Sequence, residues 1–387
     1  DGGTRGTDNW GDVGDSLRYK ITMLVLMYMT ENENLHAKNW RPQLLTIVDT
    51  NDAGVPTQSE LIALAAQLRK GRGLNVILTI KKGNIMKPGA YDAQASTRQS
   101  LREYMRREEM HGFAQVAVTH QDFSDAVVSA VTHCGIGPIS PNVVMMSWLI
   151  DWRERPGKVE ELGTTIKSLQ VLRKAIVLFK GSASFPRRGE LLPSGIIDIY
   201  WVVEEGGLCL LLPHLISMHK TWKNAELRIF AVATGPNENL LTLEKSVIDY
   251  CESVRIKASV NVVDLSQTTI ATDMTNVDPK SFQHRMTISR ALTQDLSQDL
   301  TPSFNPSNSE LPTEKDGEDP QVQTAKIFNN VIRFHSHTSN LVVTNMPMIE
   351  SFASSNSFFA YINRLSMCVD NIMLVRGSEY DVVTTVV

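Results

Sequence analysis

Short unbroken apolar runs alternate with amphipathic helical stretches along this chain, and that alternation constrains the fold more tightly than any single residue. The runs at 43–49, 74–80, 113–119, 143–148 and 175–179 carry Val, Ile, Leu, Ala and Met side by side rather than at every second position. A strand of that kind is buried on both faces, as in a parallel sheet with helices on each side. Helical spacing fills the gaps at 59–70, 94–110, 125–134 and 159–174. Ser124 is placed to cap the third of these, and Gly71 with Gly73 to end the first. Strand–helix–strand order of this type predicts a doubly wound α/β unit with a mainly parallel sheet.

The order then restarts. Residues 181–195 hold three Gly, two Pro and the pair Arg187-Arg188, and read as a linker. Beyond it, strands are expected at 196–203, 227–233, 259–264, 340–346, 371–376 and 381–386. Helices are expected at 208–219, 240–254, 324–333 and 357–368. No short exact repeat is present, so the likeness between the halves is one of architecture. Three parts follow: a lead-in over 1–39 with a helix capped by Ser16, a first α/β unit over 40–181, and a second over 182–387. The second is interrupted at 266–321, where few apolar residues recur at any period and burial could not offset the entropy of ordering. That stretch is predicted to be a mobile regulatory linker.

At 387 residues the chain exceeds one typical core, which suits two units. A net charge of −4 gives no strong field for nucleic acid or a membrane surface. The cysteines, Cys134, Cys209, Cys251 and Cys368, lie far apart with no C-x-x-C pair. They read as reduced thiols in a cytosolic setting, not as a zinc site or a disulfide framework. No run reaches the roughly 18–20 apolar residues of a membrane helix, and residues 1–6 lack a signal-peptide core. A soluble cytosolic piece is expected.

Motifs for chemistry are largely missing. The phosphate loop, the dinucleotide fingerprint, the G-x-S-x-G elbow and H-E-x-x-H are all absent. Gly135-Ile136-Gly137 follows a helix and precedes a strand, so it reads as a helix stop and turn. His335 and His337 have no third ligand in sight and read as a helix end. Arg98, Arg102, Arg106 and Arg107 are interleaved with Glu103, Glu108 and Glu109, the pattern of a solvated helix with ion pairs rather than a docking face. Trp148 and Trp152 flank Asp151 and read as core. No enzyme activity, metal or cofactor is expected. One crevice is worth naming, since ligands of open α/β sheets bind beyond the carboxyl ends of the strands. There the first unit places Asp49, Thr50, Thr79, Lys81 and Ser147. Lys81 could meet a phosphate, but Asp49 would repel it.

Several longer motifs carry a family likeness. Asn39-Trp40-Arg41-Pro42-Gln43-Leu44-Leu45 resembles the start of the cytosolic domain of cation–chloride cotransporters. So do Ile197-Asp198-Ile199-Tyr200-Trp201-Val202-Val203, Leu227-Arg228-Ile229-Phe230 and Met373-Leu374-Val375-Arg376-Gly377. Asn142-Val143-Val144-Met145-Met146-Ser147-Trp148 and Thr324-Ala325-Lys326-Ile327-Phe328-Asn329-Asn330 resemble the potassium–chloride branch. The likeness runs from about Trp10 to the end of the chain and is weakest at 266–321.

The resemblance implies the regulatory carboxy-terminal domain of an electroneutral potassium–chloride symporter, with two universal-stress-protein-like units. It implies a homodimer beneath a membrane-embedded transport domain, at the cytosolic face of the plasma membrane. It implies control of chloride export and cell volume by a Ser/Thr kinase and a phosphatase, with no nucleic-acid partner. Thr324 matches an inhibitory phosphorylation site of that branch, and Thr287 a second one. Because Thr324 is expected to open a helix, its phosphate would strengthen the helix start. Some relatives hold a nucleotide through basic residues after the first strand. Asp49 and Thr57 stand at those positions here, so nucleotide binding is not expected. A stand-alone nucleotide-sensing protein of the universal-stress type is the alternative.

Overall fold

A computed structural model describes residues 13–31, 40–68, 73–202, 206–233, 239–265 and 319–378. Ten strands form one sheet: β1 Leu44–Ile47, β2 Asn75–Lys82, β3 Phe113–Thr119, β4 Val143–Ser147, β5 Ala175–Lys180, β6 Ile196–Trp201, β7 Glu226–Ala233, β8 Ser259–Asp264, β9 Leu341–Asn345 and β10 Ile372–Arg376. Their order is β3-β2-β1-β4-β5-β10-β9-β6-β7-β8. Read inwards from either edge, the order is the same: third, second, first, fourth and fifth strand of each half. Every pair is parallel except β5 with β10, which run antiparallel with Leu178 opposite Leu374. The fold is therefore α/β with a mainly parallel sheet. Fusion of the two halves into one sheet was not foreseen from sequence.

Nine helices are described: α1 Val13–Glu31, α2 Ser59–Gln67, α3 Ala90–Arg107, α4 Phe123–His133, α5 Pro156–Val171, α6 Leu208–Ser217, α7 Leu240–Ser253, α8 Pro320–His335 and α9 Ser355–Leu365. Successive strand residues point to opposite faces, and each face has its own core. Leu44, Met145 and Val177 pack with α2, α3, α6 and α7. Leu45, Val144, Met146 and Leu178 pack with α4, α5, α8 and α9. Both cores span the two halves, which is why the central strands are mainly apolar. On the second face, α5 and α9 approach closely at Gly163, where a Cβ would lie 2.5 Å from Ser355 Oγ.

Matching polar latches reveal the repeat. Asn142, just before β4, accepts the Gln43 N–H at 2.7 Å. Asn340, just before β9, accepts the Ile196 N–H at 2.9 Å. Each asparagine thus sets the start of the strand beside it. Three helices also end alike. Glu109, Arg173 and Arg255 adopt φ of 52°, 52° and 60°. The N–H that follows each reaches back to Met105, Leu169 and Cys251 C=O at 2.8, 3.0 and 2.9 Å. Glycine is the usual residue for this left-handed stop.

The segment read as a linker, 181–195, is a packed wedge between the halves. Phe185 is buried between Phe179 and Trp222, with ring centroids 5.1 and 6.1 Å away. Gln67, buried at the end of α2, accepts from Trp222 Nε1 and donates to Pro186 C=O, both at 2.7 Å. Arg187 pairs with Glu60 at 2.6 Å, and Arg188 with Glu109 at 2.6 Å. Glu109 also meets Lys220 of the second half at 3.3 Å.

Several boundaries differ from expectation. Ser124 does not cap α4: Asp122 stands at the cap, and Ser124 is buried in the first turn. Ser16 lies inside α1. α2 ends at Gln67 with Leu68 as its cap, before Gly71 and Gly73. α3 starts at Ala90 and stops at Arg107, because the left-handed turn at Glu109 follows. α8 starts at Pro320, inside the stretch 266–321 expected to be mobile, because Asp319 and Pro320 make a helix start. The rest of that stretch, with Thr287, lies outside the described residues, as does the strand expected at 381–386.

Two outcomes test this packing. Replacing exposed Arg255 by Gly relieves the left-handed backbone and should raise stability by about 0.5–1 kcal/mol in urea denaturation. Gln67→Ala leaves the Trp222 N–H and the Pro186 C=O unpaired. It should lower stability by about 2–3 kcal/mol in the same measurement.

Candidate functional site

The crevice of the first half opens where β1 and β4 diverge. α2 leaves β1 on one face, and α4 and α5 flank β4 on the other, so loops part there. The structure brings the five residues singled out above to these strand ends: Asp49 and Thr50 after β1, Thr79 and Lys81 on β2, and Ser147 closing β4. Thr50 apart, their side chains are engaged within the protein. Thr79 is buried and donates to Val48 C=O at 3.0 Å. Lys81 Nζ donates to Thr97 Oγ1 on α3 at 3.3 Å. Ser147 Oγ donates to Phe179 C=O at 3.5 Å.

The loop after β1 folds back on itself. Thr57 N–H donates to Asp49 C=O at 2.9 Å, and Thr50 bridges Pro56. Gln58 holds Asp49 from both ends: its Oε1 accepts the Asp49 N–H at 2.7 Å, and its Nε2 donates to Asp49 Oδ2 at 3.3 Å. Gln58 occupies the cap of α2 without capping it, because its side chain serves the loop. Asp49 and Thr57 thus close the loop and present no cation to an anion. In this loop, Thr50 Oγ1 is buried without a partner.

The second candidate is α8. Asp319 caps it, accepting the Gln321 N–H at 3.0 Å, and Gln321 Nε2 donates to Ser351 C=O at 3.0 Å. Ala325, Phe328, Val331 and Ile332 are buried against the sheet and α9. Asn329 donates to Leu365 and Met367 C=O at 2.7 and 2.9 Å, which ties α8 to the end of α9. The carboxy-terminal end is held by a cluster that sequence reading missed. Asp198, fully buried on β6, accepts two bonds from Arg228 on β7, both at 2.7 Å. The same guanidinium donates to His335 C=O at 3.1 Å, and the Tyr200 hydroxyl meets Ser336 Oγ at 2.8 Å. The hydrogen bond to Asp198 raises the pKa of Arg228 above its ordinary value. Burial pushes the Tyr200 hydroxyl far above its own. The one available signal was a charged residue in the middle of each apolar run, Asp198 and Arg228.

Thr324 is exposed on this fixed helix, its hydroxyl donating to Pro320 C=O at 3.0 Å. It is the fifth helical residue rather than the opening one. The free N–H groups of the first turn lie before it, so a phosphate here would not gain the helix-start stabilisation expected above. His335 ends α8 against Phe230, with centroids 5.1 Å apart, and His337 lies beyond the helix. Trp148 stacks on Phe359 at 4.9 Å inside the second core. No helix among the described residues is long and apolar enough to cross a membrane, and none of them form a metal-ligand cluster.

Among solved structures, the chain is similar to a universal stress protein from Archaeoglobus fulgidus at 9% identity, covering 88% of this chain and 99% of that one, with a TM-score of 0.48. A putative universal stress protein from Pseudomonas aeruginosa is similar at 8% identity, covering 88% and 94%, with a TM-score of 0.44. The sequence also matches the family model of solute carrier family 12 over residues 58–185 and 184–387. Those two stretches take in β2 to β10, the wedge between the halves and α8, and the chain belongs to solute carrier family 12, the cation–chloride cotransporters.

Proposed function

We propose that this α/β assembly is the cytosolic regulatory and dimerisation module of a potassium–chloride symporter, and that phosphorylation at Thr324 inhibits transport. The observation that carries this reading is the placement of Thr324. It is exposed one turn from the start of α8, next to residues 266–318, and the rest of that helix is pinned to the sheet. Potassium and chloride would be bound by a membrane-embedded part of the same protein, not by these residues. The domain would pair with a second copy, and a Ser/Thr kinase and a phosphatase would set the state of Thr324, with Thr287 a second site. No enzymatic step is assigned to the domain.

A phosphate adds about −1.5 to −2 charges at neutral pH. It would remove the hydroxyl donor to Pro320 C=O and place the new charge about one turn from Asp319, which follows the acidic run 314–318 in sequence. Like charges repel, so the first turn of α8 and the chain leading into it would shift. The Asp198–Arg228 cluster holds the far end still. Motion would therefore be directed into the segment 266–318 and from there to the transport part.

In full-length transporter, Thr324→Ala should raise ion flux several-fold under conditions where the wild type is phosphorylated at Thr324. Unchanged flux would remove the regulatory assignment. A Glu replacement is a poor mimic, with neither the charge nor the three acceptor oxygens of a phosphate. Calorimetric titration of this chain with ATP should show no low-micromolar association, since Asp49 and Thr57 close the crevice loop. Low-micromolar affinity would instead favour a nucleotide sensor.

A further inference from the structure

Sheet edges are where this fold has unpaired backbone groups. Among the described residues, β3 is an edge strand and borders only β2. The Gly83 N–H donates to Thr119 C=O at 2.9 Å across that pairing. Alternation then turns the backbone groups of Phe113, Gln115, Ala117 and Thr119 towards β2 and leaves those of Ala114, Val116 and Val118 on the open side. There Val116 C=O is met by a side chain. Gln94 Nε2 on α3 donates to it at 2.6 Å, in the position a neighbouring strand's N–H would take.

A groove of about 650 Å³ runs along this edge between α3 and α4. Arg98 and Arg102 line it, one and two turns beyond Gln94. Neither makes an ion pair among the described residues, and Arg98 Nε is buried without an acceptor. Phe113 is 60% exposed at one end. The groove thus combines an open strand edge, an exposed aromatic ring and two guanidinium groups with no carboxylate partner among the described residues.

We propose that β3 is a docking edge for an extended acidic segment of a partner protein. The segment would add a strand through Ala114, Val116 and Val118, displace the Gln94 amide, and set carboxylates against Arg98 and Arg102. A second copy of β3 fits less well, because it would bring the two arginines against their counterparts. The chain's own acidic run 314–318 is tied to α8, which is separated from α4 by α9 and α5. Helices about 10 Å apart put that distance at about 30 Å. Five residues span at most about 17 Å. This inference is independent of the regulatory reading of Thr324.

The test is fluorescence anisotropy with the whole chain and labelled peptides about ten residues long, alternating Glu with Val or Lys with Val. The Glu peptide should bind and the Lys peptide should not. Arg98→Glu with Arg102→Glu should weaken binding at least about tenfold, and Arg98→Gln with Arg102→Gln provides the same readout should the reversal disturb folding. Val118→Pro removes an outward N–H that the protein's own sheet does not use, so it should also weaken binding with an unchanged thermal melt. The proposal is overturned by absent binding, by equal binding of both peptides, or by indifference to these changes. A dimer seen by sedimentation and lost on Val118→Pro would assign the edge to a second copy. A tenfold gain in peptide affinity on deleting 309–318 would assign it to the chain's own run. Either result also overturns the proposal.

Discussion

Five residue pairs join β5 to β10, from Lys180 opposite Ile372 to Ile176 opposite Arg376, and the rest of the molecule is arranged around that seam. A parallel half-sheet needs cover on both faces and leaves an apolar strand at each edge. Here the fifth strand of each half supplies the edge that the other requires. Two units of the same topology related by an approximate two-fold axis normal to the sheet must meet antiparallel, which accounts for the one antiparallel pair. Once joined, each face becomes a continuous surface, and helices of both halves share one apolar core on it.

The wedge at 181–195 depends on this arrangement. It crosses from the end of β5 to the start of β6 while filling the space between α2 and the 220–222 turn. The Ser182 N–H donates to Asn371 Oδ1 at 2.9 Å at one end of it, and Gln67 holds Pro186 and Trp222 in the middle. Buried polar groups of this kind are tolerated only because each donor and acceptor is met. They also specify one relative placement of the halves, since a shift would strand them. Glycine and proline content gave these residues the look of a linker, but Phe185 and Arg187 act across it.

The same economy separates the two candidate sites. In the first-half crevice, Gln58, Thr57 and Asp49 satisfy one another, leaving a closed loop where a phosphate would need donors. In the second half, the Arg228 guanidinium that holds Asp198 also donates an Nη2 N–H to the last turn of α8. One strand end has become self-sufficient, and the other has become the anchor for a helix that carries an exposed threonine.

Much of this was legible in the residues. Unbroken apolar runs separated by helical spacing determined the α/β class and the mainly parallel sheet, because strand burial on both faces leaves no room for alternation. Motif likeness pointed to the family and to Thr324. Local boundaries such as the caps at Asp122 and Asp319 were harder, since several polar residues compete for each helix start. The strand order across the seam, the wedge, the role of Gln58 and the clamp around Asp198 were decided only by tertiary structure. Each depends on a partner distant in sequence, 30 residues away for Asp198 and Arg228, 119 for Gln67 and Pro186 and 189 for Ser182 and Asn371, or on the direction a side chain takes once its backbone is placed. Hydrophobic period is a local property of the chain. Hydrogen-bond pairing across a fold is not, and it is pairing that turned two similar units into one sheet with a fixed helix on its face.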